Sequence, residues 1–155
     1  MREWTEAITD RSRLDIMEGS PKAYLHDGDL NRIENNLAYL SERLSLLGYS
    51  IQIVAPKNWS RSDIPRVADI GRICDRIAAI TQAYYAPDGY IGISDIRDKA
   101  LDYRDINSIE KNLSGIKDLI DRMLTHSYLR RFTHGGLRMY THEQIRKGDV
   151  AAPAP

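Results

Sequence analysis

A single cysteine, Cys74, stands among the 155 residues, so no disulfide can form within the chain. Apolar runs are short as well. None approaches the eighteen or more residues of a membrane span, and Met1-Arg2-Glu3-Trp4-Thr5-Glu6 lacks the apolar segment of a secretory signal. A soluble protein made in a cytoplasm, with no membrane partner, is the expectation. Charge of one sign is also missing: twenty-two basic residues meet twenty-two acidic ones. The molecule as a whole therefore has no field that would draw it onto nucleic acid or an anionic surface.

Familiar site motifs are equally scarce. The chain contains no G-x-G-x-x-G, no P-loop, no G-x-S-x-G and no paired-cysteine metal motif. His142-Glu143 opens like a zinc-protease helix, but Arg146 occupies the place of the second histidine. Asp27-Gly28-Asp29-Leu30-Asn31 opens like a calcium loop, but Arg32 and Ala38 stand where glycine and a bidentate glutamate are required. Cys74 lies four residues after Ile70 and three before Ile77, which marks a small core residue rather than a nucleophile. No catalytic residue, metal ligand, cofactor or small-molecule substrate is assigned. A non-enzymatic protein is expected.

What the chain does have is a repeat. Asp29-Leu30-Asn31-Arg32-Ile33-Glu34-Asn35-Asn36-Leu37-Ala38-Tyr39-Leu40 recurs as Asp105-Ile106-Asn107-Ser108-Ile109-Glu110-Lys111-Asn112-Leu113-Ser114-Gly115-Ile116. A fainter copy from Asp69 to Ile80 keeps the aspartate and the apolar positions but not the asparagines. Leu30, Ile33, Leu37, Leu40, Leu44 and Leu47 step by three and four, the spacing of one stripe along an α-helix. Ile106, Ile109, Leu113, Ile116, Ile120 and Met123 repeat it, and Ile70, Ile73, Ile77, Ile80 and Tyr84 form the middle stripe. Three amphipathic helices that must each bury a stripe predict a mainly α fold, a three-helix bundle with coiled-coil-like packing.

Asp29 and Asp105 fit a first turn, where a carboxylate meets unpaired N–H groups, and Asp102 stands as N-cap to Asp105. Asn36 and Asn112 flank the stripes, where they either fix helix register by pairing or are simply solvated. Ahead of the repeat, Thr9 is placed to cap a short helix over residues 10–17. Gly48 suits a left-handed C-cap. Residues 49–53 and 90–93 alternate like short strands that could pair. Trp59 is expected against the bundle. The middle helix should run from near Pro65 to Tyr84-Tyr85, before the turn Ala86-Pro87-Asp88-Gly89. A helical turn within 94–100 precedes the third long helix, expected over about 103–126.

The composition changes beyond that point. Arg130, Arg131, Arg138, Arg146 and Lys147 face one acid, Glu143. Residues 131–140 suggest two short strands about Gly135-Gly136, and Thr141-His142-Glu143-Gln144 suggests a capping box opening a last short helix. The expected organisation is a bundle over 1–126, a basic appendage over 127–148 and a frayed tail over 149–155. Arg130, Arg131, Phe132, Arg138, Tyr140, Arg146 and Lys147 are the candidate interaction residues. Three uses stay open for them: docking of a partner chain, contact with phosphates and bases, or a solvated basic tail that pairs with acidic faces of the same chain.

Several phrases, in order and spacing, resemble a helical module that recurs in tail-associated and other structural proteins of phages and prophages of Gram-positive, gut-associated bacteria. They are Ile8-Thr9-Asp10-Arg11-Ser12, Asp29-Leu30-Asn31-Arg32-Ile33-Glu34 running to Leu47-Gly48-Tyr49-Ser50, Trp59-Ser60-Arg61-Ser62-Asp63-Ile64-Pro65, and Leu101-Asp102-Tyr103-Arg104-Asp105-Ile106-Asn107-Ser108-Ile109-Glu110. The resemblance spans roughly residues 8–124. It departs in lacking a longer linker before Tyr24 and in carrying the basic segment 130–147. It implies a virion component, an adaptor or decoration on the tail or its fibres, whose partners are other virion proteins or further copies of itself. The rival expectation is a small regulator that binds nucleic acid through the basic segment.

Overall fold

Each long helix begins with the same device. In α2 (Asp27–Leu46), α3 (Val67–Ala83) and α4 (Tyr103–Thr133) the third residue is an aspartate. Its carboxylate accepts the N–H of the residue before the helix: Asp29 from His26 at 3.1 Å, Asp69 from Arg66 at 3.1 Å and Asp105 from Asp102 at 2.9 Å. Asp102 returns the bond to the Asp105 N–H at 3.0 Å. These bonds satisfy donors that a helix leaves unpaired and set negative charge at the positive end of its dipole. Asp29 and Asp105 are therefore first-turn residues, as their positions predict; Asp69 plays the same part in α3, which begins at Val67 after the N-cap Arg66 rather than near Pro65.

The computed structural model describes residues 2–52 and 55–133, with side chains to residue 125. Before α2 come a one-turn helix, α1 (Arg13–Met17), and a 3-10 turn at Pro21–Ala23; a second 3-10 turn, Ser94–Ile96, precedes α4. The chain divides into two compact units, Met1–Leu119 and Ile120–Pro155, with α4 running from the first into the second. The architecture is mainly helical, and the described residues contain no strand.

The three stripes are buried along almost their whole length. Leu40, Leu44, Ile77, Leu113 and Ile116 are fully enclosed, and Ile33, Leu37, Ile73, Ile80, Ile106 and Ile109 nearly so. Burying side chains of this size stabilises by roughly 1.5–3 kcal/mol each. Within the first unit the three helices run the same way. Near their starts Arg32 of α2 pairs with Glu110 of α4, and Glu34 of α2 with Arg72 of α3. Near their ends the Tyr49 and Tyr84 rings meet edge to face at 5.1 Å, and the Tyr84 hydroxyl donates to the Leu119 carbonyl at 3.4 Å. Like-directed neighbours require the chain to travel back the length of a helix each time, which is why the connections are long. We call these connections straps: strap 1 is residues 2–26, strap 2 is 47–66 and strap 3 is 84–102.

Several expectations change in detail. The first short helix starts at Arg13 rather than residue 10, because Ser12, not Thr9, closes a capping box with Asp15. No ladder joins 49–52 to 90–93: the backbone groups of Ile91 are taken by a side chain instead, and residues 53–54 lie outside the described residues. Gly48 and Gly89 adopt φ of 92° and 77°, as a C-cap and a turn require. The third long helix does not stop near residue 126. It continues to Thr133, because no glycine or proline stands between Gly115 and Gly135 and basic residues suit a helix C-terminus. Arg130, Arg131 and Phe132, expected in the appendage, are thus helical, so the first strand of the expected hairpin does not form over 131–133. Residues 134–155, with Arg138, Tyr140, Arg146, Lys147, the capping box at 141–144 and the tail, lie outside the described residues.

Candidate functional site

The carboxamide of asparagine carries an acceptor and a donor side by side, so it can pair with both backbone groups of one extended residue as a neighbouring strand would. The repeat uses this four times. The N–H of Trp59 donates to Asn31 Oδ1 at 2.7 Å while Asn31 Nδ2 donates to the Trp59 carbonyl at 2.9 Å. Asn36 grips Thr5 in the same way at 3.0 and 2.8 Å. In the second copy Asn107 grips Arg11 at 3.2 and 2.8 Å, and Asn112 grips Ile91 at 2.9 and 2.8 Å. Asn36 and Asn112 are buried, so neither of the roles expected for them holds: each is a clip that fastens a strap to a helix.

Between the clips sits a buried glutamate. Glu110, 1% exposed, accepts the Ile8 N–H at 2.7 Å, Arg11 Nη2 at 2.9 Å, and Arg32 Nε and Nη2 at 3.0 and 2.7 Å. Arg11 Nη2 also reaches Asp29 at 2.8 Å, and the Arg11 side chain has no exposed surface. Glu34, with none exposed either, accepts from Arg72, from Arg76 at 2.6 Å and from the Lys57 N–H at 3.4 Å. Burial raises the Asp29 carboxyl, but the His26 N–H and the guanidinium groups of Arg32 and Arg11 outweigh it and hold the group below its ordinary value.

Every strap is thus held between two helices. Strap 1 joins α2 to α4, strap 2 joins α2 to α3 through Asn31, Glu34 and Arg76, whose Nη2 donates to the Ala55 carbonyl at 3.3 Å, and strap 3 joins α4 to α3 through Asn112 and an Arg97–Asp75 pair. In the faint third copy, Gly71, Cys74 and Arg76 stand where Asn, Glu and Asn are found in the other two. A Cβ on Gly71 would meet the Arg97 side chain at 3.7 Å, and Cys74 is buried, with its thiol pushed up first by that burial.

Most polar groups of this layer are spent on one another and on the backbone; Arg11 Nε and Trp59 Nε1 are buried without a hydrogen-bond partner among the described residues. Among the described residues no cluster of histidine, cysteine and carboxylate side chains could hold a metal ion, and no helix is long and apolar enough to cross a membrane. A groove of about 350 Å³ lies between α2 and α3, lined by Leu37, Ser41, Ile51, Arg72, Arg76 and Ile80 among others.

Of the candidate interaction residues, Arg130, Arg131 and Phe132 lie near the end of α4 in the second unit, and Arg138, Tyr140, Arg146 and Lys147 fall outside the described residues. What sequence reasoning missed is the shared role of Asn31, Glu34, Asn107 and Glu110 with Arg11 and Arg32. The signal was present, since Asp-x-Asn-x-x-Glu-x-Asn is the part of the repeat that helix amphipathicity does not require. A second signal is Ser12-Arg13-Leu14-Asp15-Ile16, repeated as Ser60-Arg61-Ser62-Asp63-Ile64. In both, the aspartate accepts the serine N–H one residue after a clipped residue, at 2.7 and 2.8 Å. Compared with family models, with curated proteins and with solved structures, the chain matches none.

Proposed function

We propose that the protein is a non-enzymatic structural component of a phage or prophage particle, a tail- or fibre-associated adaptor or decoration that works by protein–protein contacts. Its core is a three-helix bundle of parallel helices laced by straps, a rigid peg, with the basic segment around Arg130–Lys147 or the ends of the bundle making the contacts. The observation that carries this reading is the duplicated polar layer: the chain commits Glu34, Glu110, Asp29 and four asparagines to fastening its own straps. Buried charges and amides used in this way favour one arrangement of the chain over others, which suits a part that must keep its shape in an assembly. The resemblance of residues 8–124 to modules of phage structural proteins supplies the kind of assembly.

The test is to induce the prophage or phage that encodes the chain, purify particles on a density gradient and look for the protein by mass spectrometry. Stoichiometric presence in tails is the expected result. Absence from particles, together with DNA binding that weakens steeply with salt and disappears on deletion of residues 127–148, would replace the proposal with a nucleic-acid-binding regulator.

A further inference from the structure

Strap 1 lies across α2 and α4, held there by bonds to the main chain of Thr5, Ile8 and Arg11. Its seat reads residues 5–11 mainly through their main chain, while ahead of them Arg2 pairs with Glu42 and the Trp4 ring meets that of Tyr39 edge to face at 5.8 Å. Asn36 and Asn107 bind the main chain of Thr5 and Arg11, Glu110 binds the main-chain N–H of Ile8, and the Arg11 guanidinium is the one strap side chain that enters the buried charge layer. The connector that follows is weakly anchored. α1 has no buried residue, Leu14, Ile16 and Met17 are 59, 43 and 74% exposed, and Gly19 turns the chain at φ 67°. From Ser12 to His26 the connector, if extended, would span roughly 45 Å, enough to reach past its own α2.

We propose that strap 1 is exchangeable: the seat formed by Asn36, Asn107, Glu110 and Asp29 accepts residues 5–11 of a second copy of this chain, linking copies through the same bonds that close one copy on itself. The exposed apolar side chains of α1 then lie where two connectors cross. The ligand class is an extended segment carrying one arginine at the position of Arg11.

Complementation between two full-length variants tests this. An Arg11→Ala acceptor keeps an intact seat but has a weakened strap. An Asn36→Ala/Asn107→Ala donor keeps an intact strap but has lost both clips, with its buried charges still paired. Mixed at high concentration, the two should form a one-to-one heterodimer by light scattering, with a melting temperature above that of either variant alone. A synthetic peptide of residues 2–12 should bind the Arg11→Ala chain, and the same peptide carrying Arg11→Ala should bind roughly tenfold to a hundredfold more weakly, the loss expected for a charge-assisted hydrogen bond. Should Arg11→Ala not fold alone, Arg11→Lys serves as the acceptor, read by the same mixing and peptide titrations. A mixture that remains two monomeric species, with no difference between the two peptides, would overturn the proposal.

Discussion

A buried carboxamide that clips a backbone does two jobs, and removing it leaves two backbone groups without partners. Asn112→Ala should therefore cost more than a surface substitution, about 2–4 kcal/mol for the stranded Ile91 N–H and carbonyl, read from urea denaturation. Asn112→Asp keeps the shape and the acceptor but sets a carboxylate against the Ile91 carbonyl, so it should destabilise at neutral pH and recover in part on acidification. Glu110→Gln leaves Arg11 and Arg32 short of a buried counter-charge and should cost about 3–5 kcal/mol, as breaking buried pairs does. Gly115 gives the most discriminating substitution. Helix propensity alone predicts that Gly115→Ala stabilises α4 by about 1 kcal/mol. A Cβ there would lie 3.0 Å from Cγ of Pro87, a ring with nowhere to swing. The expected outcome is a net loss of about 1–3 kcal/mol, and a raised melting temperature would refute the close approach of the turn at residues 86–89 to α4.

At the scale of the element, the caps set the response to acid. Asp69 and Asp102 lie below their ordinary carboxylate values first because backbone N–H groups, of Arg66 and Asp105, bind their ionised forms. Asp29 is lowered against its burial by His26, Arg32 and Arg11. A carboxylate whose folded value is depressed contributes stability that is present above its unfolded value, near 4, and lost as pH falls through the folded value. Thermal midpoints measured from pH 7 downward should accordingly stay level to about pH 4 and then drop. Asp102→Asn should start lower by the partial loss of its cap and fall less steeply. The straps were less legible than the helices for a related reason. Three-and-four spacing reports what a helix buries, but nothing in the alternation of residues 90–93 distinguishes a strand partner from an asparagine on α4.

For the whole molecule, Leu113→Ala and Ile77→Ala open space in a fully enclosed core and should each cost about 2–5 kcal/mol, whereas Leu14→Ala on the exposed α1 should change stability by less than about 0.5 kcal/mol. The sequence by itself determined the three helices, the first-turn places of Asp29 and Asp105, the buried stripes, the Gly48 cap and the burial of Trp59 and Cys74. All of these are set by neighbours within a turn or two of helix, or by the need to hide apolar surface. Only the tertiary structure decided that the helices run the same way, that Arg11 crosses to Asp29 and Glu110, and that four asparagines hold straps instead of water or each other. Those choices join residues up to 102 positions apart, as Ile8 and Glu110 are. A polar side chain carries no periodic mark of the partner it will meet. Its place is settled only when packing removes water and leaves the buried polar groups to find partners among one another and the backbone.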